Sequence, residues 1–176
     1  MAWTTPGTAV TNSGLTAAFW NTNVRDNLNA IYTAGTNVVM GTDSTATTIA
    51  STTLTDTGLS VSITPTSATS KVLVWAWVPM QSFRETDANN SGLALLRGST
   101  VIGSTTGEHI GSTGGTISGL TAVRGVWSIV YLDSPATSSA VTYKIQGKVN
   151  TTANAANMVA QFVNQQSNIV CMEILV

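Results

Sequence analysis

Apolar and polar positions follow two rhythms along this chain, and the change of rhythm divides it. Over residues 15–32, Leu15, Phe19, Trp20, Val24, Leu28 and Ile31 recur mostly three to five apart, the spacing of one helix face. Asn21, Asn23, Arg25, Asp26, Asn27 and Asn29 fill the other face. Ser13 or Thr11 is placed to cap this helix, Val10 to staple it and Gly35 to stop it. An isolated helix of this length is marginal in water. Its stripe therefore has to pack on its own β-domain, on copies of itself or on a partner. Residues 1–14 read as an extended arm, and Trp3 is a large apolar group in that mostly polar tail. A free tail gains nothing from a Trp, so the arm is expected to dock.

From residue 59 the period is two. Leu59 to Thr64 alternates and stops at Pro65. In Lys71 to Val78, Val72, Val74, Ala76 and Val78 share one face and Leu73, Trp75 and Trp77 the other. Both faces are apolar, so this strand is expected to be covered on both sides. Gly92 to Gly103 predicts a hairpin turning at Arg97-Gly98-Ser99. Val123 to Leu132 puts Trp127, Ile129 and Tyr131 on one face, and Ser134-Pro135 then opens a turn. Ala140 to Val149 turns Val141, Tyr143, Ile145 and Val149 inward and Thr142, Lys144, Gln146 and Lys148 outward. Asn168 to Val176 is apolar on both faces apart from Glu173, a pattern expected in mid-sheet or at a subunit interface. Residues 79–91 and 104–121 read as polar loops exposing Arg84, Glu85, Asp87, Glu108 and His109.

Three units follow: an arm and helix over 1–34, a Thr/Ser-rich linker or edge strand over 35–58 with a turn at Asp56–Gly58, and a β-domain over 59–176. Many short strands without crossover helices predict a mainly β fold, an antiparallel jelly roll or β-sandwich with one N-terminal helix. Trp75, Trp77, Trp127, Tyr131, Tyr143, Met172 and Ile174 are the large groups expected in its core or at an interface between copies.

Composition changes this picture in one respect. Charged residues are 9% of the 176 residues, with three Lys and four Arg, and the net charge is −1. A typical soluble domain carries roughly 25%. The difference is made up by 30 Thr and 18 Ser. So few charges leave little to keep copies apart, and the surface is expected to be covered by other copies or by an assembly. The chain has no basic patch to hold nucleic acid and no apolar run long enough for a membrane helix.

The candidate chemistry is thin. His109 is the single histidine, and recruiting Asp133 and Ser134 around it finds no nucleophile-elbow context. Glu85 and Asp87 are neighbours on a polar stretch rather than an acid/base pair. Glu108 and His109 are too few for a metal site, and Gly111, Gly114 and Gly115 do not join a strand to a helix as a phosphate loop does. Cys171 has no second cysteine to pair with. Glu173 in its apolar strand is expected to pair with Arg124 or Lys71, or to line a subunit axis. The reading is a protein that is not an enzyme and needs no cofactor or metal.

Two segments carry a resemblance. Leu15-Thr16-Ala17-Ala18-Phe19-Trp20-Asn21-Thr22-Asn23-Val24-Arg25-Asp26-Asn27-Leu28 resembles an N-terminal motif of bacteriophage tail-fibre-like and virion appendage proteins, with Asn21 and Arg25-Asp26-Asn27 its most specific part. Residues 55–176 are similar in pattern to trimeric jelly rolls of the C1q/tumour-necrosis-factor type. That likeness rests on Leu95-Leu96-Arg97-Gly98, Tyr131 to Thr137, Val141-Thr142-Tyr143-Lys144 and Met172-Glu173-Ile174. The resemblance implies a non-enzymatic homotrimer in a phage particle, assembled in the bacterial cytoplasm. It would be fixed to capsid or tail proteins through Trp3, Leu15, Phe19, Trp20, Asn21, Arg25 and Asp26. Helix and β-domain are joined without the long shaft of a tail fibre, which favours a squat head decoration, cement or short head-fibre protein. The alternative is a receptor-binding tip whose loops hold a host surface glycan.

Overall fold

A computed structural model describes residues 16, 20–29, 37–85, 89–102, 109–113 and 121–176. The described residues form eleven strands: β1 (Val38–Asp43), β2 (Thr47–Ile49), β3 (Thr55–Ile63), β4 (Lys71–Arg84), β5 (Asn89–Arg97), β6 (Thr100–Ile102), β7 (His109–Thr113, within the expected 104–121 loop), β8 (Thr121–Asp133), β9 (Val141–Val149), β10 (Asn157–Ala160) and β11 (Ser167–Ile174). All pairings are antiparallel.

Register shows that several strands are halves of longer ones. β11 pairs residues 71–77 of β4, and β10 pairs residues 80–83 of the same edge. β1 and β2 then pair β11 and β10 in turn, while β8 takes the other edge of β4 along its whole length. The front sheet is thus four positions wide, in the order β1/β2, β11/β10, β4, β8. The back sheet has the same width, in the order β3, β9, β5, β6/β7. Two four-position antiparallel sheets whose chain crosses repeatedly between them make a jelly-roll-like β-sandwich.

The alternation is physical, because each strand gives one face to the space between the sheets. Val72, Val74, Ala76, Val78, Ile169 and Cys171 of the front sheet meet Leu93, Leu95, Tyr143, Ile145 and Val149 of the back sheet. Trp127 and Ile129 join them, so the expected inward face of β8 and the expected inward and outward faces of β9 are both found.

Three expectations are corrected. The stretch 79–91 is not one loop, since β4 runs through Pro79 to Arg84 and β5 begins at Asn89. Arg84 is accordingly a half-buried strand residue rather than an exposed loop residue. Pro79 is tolerated because the strand beside it is interrupted there: residues 161–166 leave the sheet between β10 and β11, so no ladder bond is needed from a prolyl nitrogen. The stretch 35–58, read as a linker or edge strand, supplies edge strands: β1 and β2 at one edge of the front sheet and the start of β3 at one edge of the back sheet. Its Asp56–Gly58 turn is a bulge within β3, where register shifts between Asp56 and Ser60, Gly58 takes φ +91°, and the buried Thr57 hydroxyl donates to Ile145 O at 2.9 Å.

The hairpin at residues 97–100 is as expected, with Arg97 paired to Thr100 and Gly98 at φ +59°. The helix is described over Trp20–Asn29. Its Asn21–Arg25 portion is wound as a π-helix, closed by Asp26 N–H donating to Asn21 O. The wide turn rotates the face away from the period of 3.6. Asn27 is buried and Val24 half-buried, while Trp20 and Leu28 are 53% and 60% exposed in the isolated chain, so the described part of the expected stripe is only partly covered within one chain.

Candidate functional site: the outer face of the front sheet

The two sheets differ on their outer faces. On the back sheet, Ser62 bonds Thr142 at 2.7 Å, and Lys144 and Gln146 both reach Asp56, at 2.9 and 2.8 Å. These are the groups of a solvated surface. The front sheet is opposite in character. Reading across its four positions, Val38, Met172, Leu73 and Leu132 form one row, and Met40, Val170, Trp75 and Val130 form the next. Thr42, Asn168, Trp77 and Ser128 follow, then Pro79 beside Val126.

Most of these groups reach water in the single chain, although Asn168 and Pro79 are buried. Met40 is 62% exposed, Trp75 52%, Val126 66% and Val130 63%. Trp75 and Trp77 lean together with ring centroids 5.6 Å apart. None of the described outward side chains of this sheet is acidic. Its described cations, Lys71 and Arg124, stand near opposite ends of β4's ladder. Fourteen residues of β4 extend about 45 Å and four strands about 19 Å, giving a face of roughly 850 Å². That matches the ~800 Å² each partner contributes to a standard stable interface. A monomer seldom leaves so continuous an apolar surface in water.

The interrupted third position adds relief to this face. Gln161 is fully buried, and with its amide assigned the orientation that satisfies both ends, the nitrogen donates to Ala160 O and Thr57 O at 3.1 and 3.3 Å while the oxygen accepts from Ser167 Oγ at 3.2 Å. Phe162 then lies under the Arg124 guanidinium, 4.5 Å from ring centroid to Cζ, and Arg124 Nε donates to Gln81 Oε1 at 2.8 Å. Gln81 and Arg124 are paired residues on the outward parity of β4 and β8, so Phe162 stands on the outer face. Val163 follows in left-handed backbone (φ 51°, ψ 36°), 65% exposed, and Asn164 Oδ1 accepts from Ala46 N at 3.3 Å. A left-handed β-branched residue costs about 1–2 kcal/mol.

The large groups expected in a core or at an interface divide cleanly. Trp127 and Tyr143 are core, and Tyr131 packs against the core. Trp75, Trp77, Met172 and Ile174 are on the outer face. The expectation that both faces of Lys71–Val78 are covered holds for the inner face alone within one chain. Among the anchoring residues, Trp3, Leu15 and Phe19 lie outside the described residues. Trp20 is exposed, Asn21 half-buried, and Arg25 pairs with Asp26 at 2.9 Å. Asp87 and Glu108 also lie outside the described residues, Glu85 is exposed, and His109 begins β7.

Glu173 corrects its expected pairing. Its carboxylate accepts from Asn37 Nδ2 and from the Thr66 amide and hydroxyl, at 2.7 and 2.8 Å for the latter two, and not from Arg124 or Lys71. Asp133 is likewise a tie between sheets: Arg97 Nη1 holds both its oxygens and Tyr143 Oη donates to it. A hollow at the β3 bulge, lined by Asp56, Leu59, Ser60 and Lys144, measures about 140 Å³, below the ~300 Å³ of a small-molecule pocket. Among the described residues no three metal-binding side chains gather, and no helix is long and apolar enough to cross a membrane. No protein-family model matches this chain, and no curated protein matches it.

Proposed function

We propose that this protein is a non-enzymatic structural component of a bacteriophage particle, a homotrimeric decoration, cement or short head-fibre protein. One observation carries the assembly: an apolar, acid-free outer face on the front sheet, opposite a hydrated back sheet. Burying the first and leaving the second in water removes apolar surface at about 25 cal/mol per Å², before the entropy of association is subtracted. Cyclic closure lets three front sheets share one axis, with the back sheets outward. Attachment to the particle falls to the arm and helix, whose Asn21 and Arg25-Asp26-Asn27 carry the resemblance to virion appendage proteins. The exposed Trp20 and Leu28 are the apolar contacts this helix offers.

Sedimentation equilibrium on the full chain tests the assembly. The expected mass is three times the 18.2 kDa chain, reduced to one chain by Trp75→Glu. A single-chain mass for the unmodified protein at 100 µM (~100 µM being far above the Kd of a stable oligomer) overturns it. Immunogold labelling of intact particles tests the location. Gold over heads is expected, gold at tails would replace decoration by adsorption, and unlabelled particles would remove the virion role.

A further inference from the structure

We infer that the excursion over residues 161–166 is a keying element, in which Val163 is buried by a second copy of this chain. The inference rests on the outer face being the surface between copies. β10 and β11 follow the same edge of β4, separated opposite Val78 and Pro79, yet the chain spends six residues crossing that gap. Those residues are held firmly. Gln161 is buried beneath them, Phe162 is fixed by Arg124, and Asn164 is tied to Ala46. What they hold up is a valine in left-handed backbone with 65% of its surface in water. Within one protomer that arrangement costs twice, once in backbone strain and once in exposed apolar area. A strained conformation persists where surrounding structure enforces it, and it gathers where a surface has work to do.

The occupant follows from the face. Its described centre has no charge, and Lys71 and Arg124 are set apart toward its two ends, so an acidic partner has no cation in the middle to meet. A matching partner must be equally neutral and apolar over the central rows, and a second front sheet is such a surface. Val163 follows Phe162, which stands against Arg124 at the margin of the apolar rows, where a projecting group fixes how far one sheet slides on another.

The test is sedimentation of the full chain as wild type, Val163→Gly and Val163→Asn, with far-ultraviolet circular dichroism. Glycine and asparagine accept left-handed backbone, so both variants keep the turn while losing the apolar group. The expected result is a native spectrum with a self-association constant weakened at least about tenfold in both. Unchanged association in both variants, with the wild type still oligomeric, overturns the keying role and leaves the assembly reading intact. A wild type that sediments as one chain overturns both. Loss of the native spectrum in both variants at associating concentration also overturns it, because Val163 would then be holding its own protomer.

Discussion

Tyr143 on β9 donates its phenolic hydrogen to Asp133 at the end of β8, 2.7 Å away, and so ties the back sheet to the front sheet through the interior. Burial first, then the Asp133 hydrogen bond and charge, push the phenol well above the ordinary tyrosine range. Arg97 reaches the same carboxylate at 2.9 and 3.0 Å and also donates to Ser134 O. The carboxylate is therefore compensated twice, by one neutral donor and one cation.

Removing the donors separately should give unequal losses. Tyr143→Phe deletes one hydrogen bond to a charged group and is expected to cost about 1.5–3 kcal/mol. Arg97→Met leaves a buried carboxylate without its cation, at the low end of ~3–5 kcal/mol because the arginine is itself partly in water. Urea unfolding of both variants and of the double variant checks the order. A larger loss for Tyr143→Phe than for Arg97→Met would contradict it.

Acid should weaken the join between β1 and β11. Burial pushes the Glu173 carboxyl up, but the neighbouring Ser70 hydroxyl, the Asn37 amide and the Thr66 hydroxyl and backbone outweigh it, holding the group below the usual carboxylate range. A depressed folded-state value stabilises the fold fully above the unfolded glutamate value of about 4.3, and that contribution disappears as pH falls through the folded value. Melting temperatures of wild type and Glu173→Gln should differ at pH 7 and converge as pH falls through the folded value. A constant gap across that range would refute the assignment.

Two glycines should respond differently to alanine. A Cβ on Gly41 would stand 2.1 Å from Ser60 O, where β1 and β3 close the side of the sandwich with backbone against side chain. Backbone cannot step aside, so Gly41→Ala is expected to cost ~3 kcal/mol or more. On Gly147 the nearest atom is Met158 Sδ at 2.8 Å, the movable end of a flexible side chain, and the cost should stay near 1 kcal/mol. Equal denaturation midpoints for the two variants would exclude this account.

Cys171 should be silent in the native protein. It is fully buried, and burial first, then the Asp133 charge, raise its thiol to about 12. Thiolate is the reactive form. At pH 8, a disulfide reagent should label it only through unfolding, at a rate that rises steeply with urea as the unfolded fraction grows. A rate insensitive to urea below the unfolding transition would show an open path to the sulfur.

Much of the sandwich was legible in the sequence because a strand half-buried on one side must alternate. The inward sets Val72/Val74/Ala76/Val78, Trp127/Ile129/Tyr131 and Val141/Tyr143/Ile145/Val149 all follow from period two. The turn at Gly98 was legible because the hairpin needs left-handed backbone there. Pro79 misled, since a proline inside an apolar run reads as a strand end. The compensating gap at 161–166 lies 82 or more residues away in sequence and leaves no local mark beside it. The apolar spacing of the helix was legible, but what covers it was not: Val24 is half-buried, and Trp20 and Leu28 stay exposed within one chain. The candidate face was half legible: Leu73, Trp75 and Trp77 announced a second apolar side, while the Thr-rich stretch holding Val38 and Met40 read equally as a linker or an edge strand.

The sequence by itself determined that this chain is an antiparallel β-protein, poor in charge, with a two-faced strand at Lys71–Val78. Those properties depend on the order of apolar and polar groups, which neighbours along the chain already define. Only the tertiary structure decided which residues share the outer face, that Glu173 and Asp133 are satisfied within the chain, and that Val163 stands strained at the edge of the apolar rows. These depend on register between strands far apart in sequence. Register is fixed by packing two sheets together, and packing is a property of the whole fold.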